Sequence, residues 1–149
     1  MSKVYIASPL FTEQQREIVN EVADFWKSDH QFDTIYKPQD FKIPNAWELE
    51  NTEWADAVEL EDRLHLDSAD TVIGILYGMN GDDGTAWEIG YVSAKWKRIV
   101  LVFMNEGGTY SLMMKNIADK KILRQNFPGM EGQPKAVYRE MKDEEVYWS

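Results

Sequence analysis

The chain has 149 residues, a formal net charge of -10 and 44% apolar residues. That length suits one domain, and the apolar share supports a proper core, which excludes a disordered chain. The acidic balance argues against a nucleic-acid surface or an anionic membrane as main partner, and the lack of cysteine excludes disulfides and thiolate-bound metals.

Residues 3–7 (KVYIA) read as a short buried strand closed by Ser8-Pro9. Thr12 and Gln15 have the spacing of a capping box. Ile18, Val22, Phe25 and Trp26 follow at helical intervals, so a helix is predicted to about residue 28, with His30 in the turn beyond it. A second strand over 34–37 stops at Pro38, and 38–47 form a loop. A long helix over 52–68 carries an apolar arc of Trp54, Ala57, Val58, Leu60 and Leu64, with Glu61 and His65 inside the arc and Asp62 at its edge, where polar groups are either paired in the core or line a pocket. Residues 70–77 (DTVIGILY) give the clearest buried strand. A helix over 85–97, a strand over 98–104 (RIVLVFM), a short helix over 110–118 and a last strand over 121–123 complete the chain.

Continuous apolar strands separated by helices predict a sheet covered on both faces. The expected fold is α/β: a doubly wound, flavodoxin-like three-layer sandwich with a mainly parallel five-stranded sheet, in a single domain over 1–149. Ligands of such sheets sit beyond the carboxyl ends of the strands, so residues just after Tyr5, Lys37, Tyr77 and Met104 should surround the site. No basic segment followed by a long apolar run opens the chain, and no apolar stretch reaches the roughly 20 residues that span a bilayer. A soluble cytoplasmic protein is expected.

The stretch GDDGTAWEIGYVSA, residues 81–94, leaves the third strand at that ligand edge. Thr85 and Glu88 match a second capping box, which makes Glu88 a helix cap. The same position also suits a nucleophile, because the helix dipole keeps a first-turn carboxylate ionised. Asp82, six residues earlier, supplies a second carboxylate across the turn, the usual equipment for glycosyl transfer. The glycines do not spell a phosphate loop, and two aspartates would repel a phosphate. For His65 the structural reading, a satisfied or partly exposed side chain, outweighs a catalytic one. No second histidine stands at metal-ligand spacing, so no metal site is expected. Trp26, Trp54, Trp87 and Trp96 read as packing residues, with Ile89, Val92 and Trp96 on the buried side of the third helix. Trp47 either lines an aromatic pocket or covers the edge of the core. Met113 and Met114 read as core or as an oligomer contact.

With these pieces in order, the chain resembles the nucleoside 2-deoxyribosyltransferase family over nearly its whole length. The resemblance rests on KVYIASPLF with its Tyr5, on Glu61-Asp62 ahead of the third strand, on DDGTAWEIGY and on Ser111-Leu112-Met113. DDGTAWEIGY is the specific piece and matches the family's D-x-G-x-x-x-E-[LI]-G-Y. The resemblance implies exchange of the base of a 2'-deoxynucleoside for another base. It implies Glu88 as the nucleophile that forms a covalent deoxyribosyl ester, with overall retention at C1'. Asp62 and Asp82 would contact base and sugar, one of them donating a proton to the departing base, and Tyr5 would orient Glu88 by a hydrogen bond. Ser111 and Met113, with Gln39 and Trp47 from the loop, are the substrate-binding candidates. No metal or organic cofactor is implied. The partners implied are deoxynucleosides, free bases and further copies of the chain, in a dimer-based homo-oligomer, typically a hexamer, whose neighbouring subunits complete each pocket. Ser111 departs from a family asparagine that holds a sugar hydroxyl, and VYWS stands where the family commonly ends on a tyrosine whose carboxylate enters the neighbouring site. Two rivals are a hydrolase of deoxynucleoside 5'-monophosphates, which needs serine or basic groups for the phosphate, and a non-catalytic ligand-sensing module on the same sandwich.

Overall fold

Burial on both faces makes the central strands. In the computed structural model, which describes residues 2–29, 34–128 and 134–149, β1 (Lys3–Ala7), β3 (Thr71–Leu76) and β4 (Arg98–Phe103) are almost wholly buried. They lie in one sheet with β2 (Thr34–Tyr36), β6 (Lys120–Pro128) and β7 (Pro134–Glu140), in the order β2-β1-β3-β4-β6-β7. The first five are parallel, and β7 alone pairs antiparallel, against β6. The fold is the expected flavodoxin-like sandwich, with six strands rather than five. The extra strand comes from a half-exposed edge hairpin, which lacks the continuous apolar run that marks the inner strands. A separate two-stranded pair joins β5 (Thr109–Tyr110) to β8 (Tyr147–Trp148), next to α4 (Leu112–Ile117).

Alternate residues of each strand face opposite layers. Val4, Ile6, Ile73, Ile75, Val100 and Val102 pack on one face against Ile18, Val19, Val22 and Trp26 of α1 (Glu13–Asp29). The reciprocal Thr12–Gln15 capping bonds start that helix as predicted. His30 lies outside the described residues. On the other face, Tyr5, Ala7, Val72, Leu101 and Phe103 pack against Leu66 of α2 (Asn51–Ser68) and against Ile89 and Val92 of α3 (Asp83–Ala94). Gly74 permits that close approach: a Cβ there would lie 2.6 Å from Ile89 Cδ1 and 2.9 Å from Leu101 Cδ2.

Three sequence expectations fail here. The helix after β3 starts at Asp83, and its N-cap is Asp82 rather than Thr85. Trp96 does not pack on that helix's buried side. The helix stops at Ala94, and Trp96 takes a left-handed conformation with φ 59°, which leaves its side chain 92% exposed. Trp54 and Trp87 are also largely exposed, as are Leu60 and Leu64 of the presumed apolar arc on α2. The face that α2 turns inward is polar in its middle, with Glu61, Asp62 and His65 half-buried ahead of fully buried Leu66. Among the described residues no helix is long and apolar enough to cross a membrane.

Candidate active site

The strand order changes direction at β1, with β2 on one side and β3 on the other, and doubly wound sheets hold ligands at such a point. β1 contributes Tyr5, a fully buried residue. Its hydroxyl donates to Oε2 of Glu88 on α3. Burial and the charges of Glu88 and Asp62 push the phenol pKa far upward, so Tyr5 keeps its proton and remains a donor.

Glu88 is half-buried and sits in the second turn of α3, six residues after the Asp82 cap. It therefore neither completes a capping box nor gains the dipole benefit expected of a first-turn residue. Its electrostatics are the reverse of that expectation. Burial raises its carboxyl to about 7, the Tyr5 hydrogen bond pulls it down, and the charges of Asp62 and Asp82 push it up. Asp62, half-buried on α2, is raised to about 6, chiefly by burial, with His65 lowering it and Glu61 raising it. Two interacting acids that titrate near neutrality hold protons as a pair rather than singly.

Asp82 has a structural task as well. Its Oδ2 accepts from Thr85 N at 3.0 Å and from the Thr85 hydroxyl at 2.8 Å, which satisfies the open end of α3. It also borders a cavity of about 480 Å³ between the ends of β3 and β5, with Tyr77, Met79, Tyr110, Ser111 and Met114 among its other walls. Among the described residues neither lysine nor arginine lines this cavity.

Tyr5, Asp62, Asp82 and Glu88 thus form one electrostatic cluster, of which Asp82 alone lines the cavity. The substrate-binding candidates are more scattered. Ser111 borders the cavity, and its hydroxyl accepts from Met113 N at 3.2 Å as the cap of α4. Met113 is 73% exposed and lies outside the cavity wall, whereas Met114 packs on the core and lines it. The Gln39 amide is bound to α1, donating to Arg16 O and Asn20 Oδ1. Trp47, on a short 3-10 turn, is 82% exposed and covers neither the cavity nor the core. β8 pairs with β5 of the same chain: Ser149 N donates to Tyr110 O and Leu112 N to Ser149 O, both at 2.9 Å. Among the described residues no group of three or more histidine or acidic side chains is placed to hold a metal ion.

Sequence reading missed Tyr36. Its ring lies 5.5 Å from that of Tyr5 and stacks on His65 at 3.6 Å, and the sole signal was its place at the carboxyl end of a predicted strand. His65 is partly exposed and meets Glu61 at 2.9 Å, in line with its structural reading.

A model of the nucleoside 2-deoxyribosyltransferase family matches residues 4–136. The fold and 31% of the sequence are shared with the 2-deoxyribosyltransferase of Bacillus psychrosaccharolyticus, at TM-score 0.69 over 80% of this chain and 85% of that one. The Leishmania mexicana 2-deoxyribosyltransferase is 18% identical, at TM-score 0.53 over 91% of this chain and 79% of that one. The CMP N-glycosidase of Clostridium botulinum is 15% identical, at TM-score 0.52 over 82% and 88%. These two share the fold alone. No curated protein matches the chain significantly. A family match over most of the chain and a well-covered relative at this identity settle membership: the chain belongs to the nucleoside 2-deoxyribosyltransferase family.

Proposed function

We propose that this protein transfers the 2-deoxyribosyl group between nucleobases through a covalent ester on Glu88. The observation that carries the reading is the Tyr5–Glu88 hydrogen bond beside Asp62: a buried donor fixes one carboxylate while a second acid nearby titrates close to neutrality.

The working form holds one proton in the pair, with Glu88 ionised and Asp62 neutral; it is the less populated of the two arrangements, because Glu88 keeps its proton to about 7 and Asp62 to about 6, and it is the one drawn into reaction. Glu88 attacks C1' as the C1'–N bond breaks, through an oxocarbenium-like transition state. Asp62 gives its proton to the departing base, whose nitrogen takes the bond's electron pair. The incoming base then attacks C1' from the face the first base left, the ester breaks, Glu88 is released as a carboxylate, and the proton of the new base returns to Asp62. Two inversions give net retention. Tyr5 stabilises Glu88 as a carboxylate, which suits a group that must be nucleophile and leaving group in turn.

The cavity beside Asp82 favours an uncharged nucleoside over a nucleotide, because its walls among the described residues carry carboxylates and no cation to meet a phosphate. The exposed apolar side chains of Trp54, Leu60, Leu64 and Trp87 suit burial between copies of the chain, so the active form is read as a homo-oligomer.

Incubation with deoxyinosine and free adenine, followed by chromatography, tests the reading. Wild type should form deoxyadenosine and show a deoxyribosyl adduct by intact mass, and Glu88→Ala should show neither. Release of hypoxanthine without deoxyadenosine would make the protein a hydrolase. Ligand binding without any turnover would make it a sensing module.

A further inference from the structure

Two buried polar atoms on the face of the sheet that carries Glu88 have no hydrogen-bond partner among the described residues: Asp62 Oδ1 and the Tyr36 hydroxyl. Buried polar atoms in folded proteins are paired as a rule, so two orphans in one electrostatic cluster mark places for a ligand's polar atoms. The Tyr36 ring is well held. It pairs across β1 and β2 with Tyr5, and it lies flat on the His65 imidazole, with ring centroids 3.6 Å apart and planes 5° from parallel. His65 is fixed in turn by Glu61, at 2.9 Å from Nε2 to Oε1. The result is a braced plate. α2 holds the imidazole, and the imidazole leaves the phenol little freedom to move. The charges of Asp62 and Glu88 both act on the Tyr36 hydroxyl, so the plate stands at the same site as the reacting groups.

Resting on the transferase reading, we propose that Tyr36 is a specificity-determining residue of the base subsite, its hydroxyl bonding the exocyclic oxo or amino group of the nucleobase. His65 is the positioning residue that holds it there. A phenol hydroxyl can donate to a carbonyl oxygen and can accept from an amino group. It therefore serves oxo and amino bases alike, where a fixed amide would favour one of them. Asp62, which gives or takes a proton near neutrality, is ambivalent in the same way. That combination suits an exchange in which the departing and arriving bases differ at this group.

The test compares hypoxanthine, adenine and unsubstituted purine as ligands, by calorimetry at neutral pH, for wild type, Tyr36→Phe, His65→Ala and the double variant. KM and kcat are measured with each base as acceptor. Tyr36→Phe should weaken hypoxanthine and adenine by about three- to ten-fold, the worth of one hydrogen bond between uncharged groups. It should leave unsubstituted purine unchanged and move KM rather than kcat. His65→Ala should weaken the same two bases and add nothing to Tyr36→Phe, because it acts through Tyr36. Each ratio of substituted to unsubstituted base is read within one protein, so a partly unfolded variant does not distort it. Equal weakening of all three purines, no weakening, or a wild type that binds no base would each overturn the proposal. A wild type that binds bases in the expected pattern yet transfers nothing would support it while overturning the transferase.

Discussion

Burial holds the Glu88 carboxyl at about 7 against 4.5 in open surroundings, and this has a consequence for stability as well as for chemistry. A carboxyl whose pKa is raised by folding prefers to be neutral in the folded state. Its favourable contribution is complete below pH 4.5 and is lost as pH rises through 7. At about 1.4 kcal/mol per unit, the raised pKa costs the fold about 1 kcal/mol at pH 5.5, where the carboxyl ionises only on unfolding, and about 3 kcal/mol at pH 8.5, where it is ionised in both states. Glu88→Gln keeps the shape and still accepts from the Tyr5 hydroxyl, but it cannot ionise. The variant should therefore be more stable than wild type, by a margin that grows with pH. Thermal unfolding of both proteins at one concentration, followed by circular dichroism at pH 5.5 and 8.5, reads this directly; both values lie above the pI of about 4.6, where solubility is poorest. The Tm difference should widen by roughly 4–8 °C between the two. Activity should fall by about a thousand-fold or more. A margin that does not change with pH, or a variant less stable than wild type at pH 8.5, would refute the reasoning. The second result is what a helix-capping Glu88 would give.

The rate of transfer should follow a narrow bell in pH, with limbs near 6 and 7, because one proton must sit on the Asp62–Glu88 pair; initial rates from pH 5 to 9 check this, and Asp62→Asn should abolish the alkaline limb. Asp82→Ala should cost about 1 kcal/mol in urea unfolding through the lost cap, whereas Asp82→Asn should keep the cap. Both should lower the Glu88 titration from about 7, since the Asp82 charge helps to raise it. Gly74→Ala should cost about 1–3 kcal/mol in urea unfolding, because its Cβ would enter the space of Ile89 and Leu101. If the chain forms the proposed homo-oligomer through α2, Leu60→Glu with Leu64→Glu should shift it toward monomer in light scattering, and an unchanged mass would remove α2 from the proposed interface.

The inner strands were legible because burial on both faces writes one signal, an unbroken apolar run such as TVIGIL or RIVLVF. β7 writes no such signal, since one of its faces meets solvent. The reading of α2 failed for a reason tied to function. Hydrophobicity alone cannot tell a face turned toward a ligand pocket from one turned toward water. The polar stripe of Glu61, Asp62 and His65 therefore read equally as groups paired in the core or as the lining of a pocket, and Trp54, Leu60 and Leu64 read as the core itself. The motif named Glu88, but its protonation depends on burial and on Asp62, 26 residues earlier in the chain, and no local pattern carries that information. Tyr36 had still less to announce it. It becomes notable only through the β1–β2 register that sets it beside Tyr5 and through the stack with His65. Natural sequences break packing rules chiefly where function requires it. The break in α2 was visible in the sequence as polar residues within an apolar arc. Of the two readings such a stripe allows, core pairing or a pocket lining, the electrostatic contact of Asp62 with Tyr5 and Glu88 favours the second.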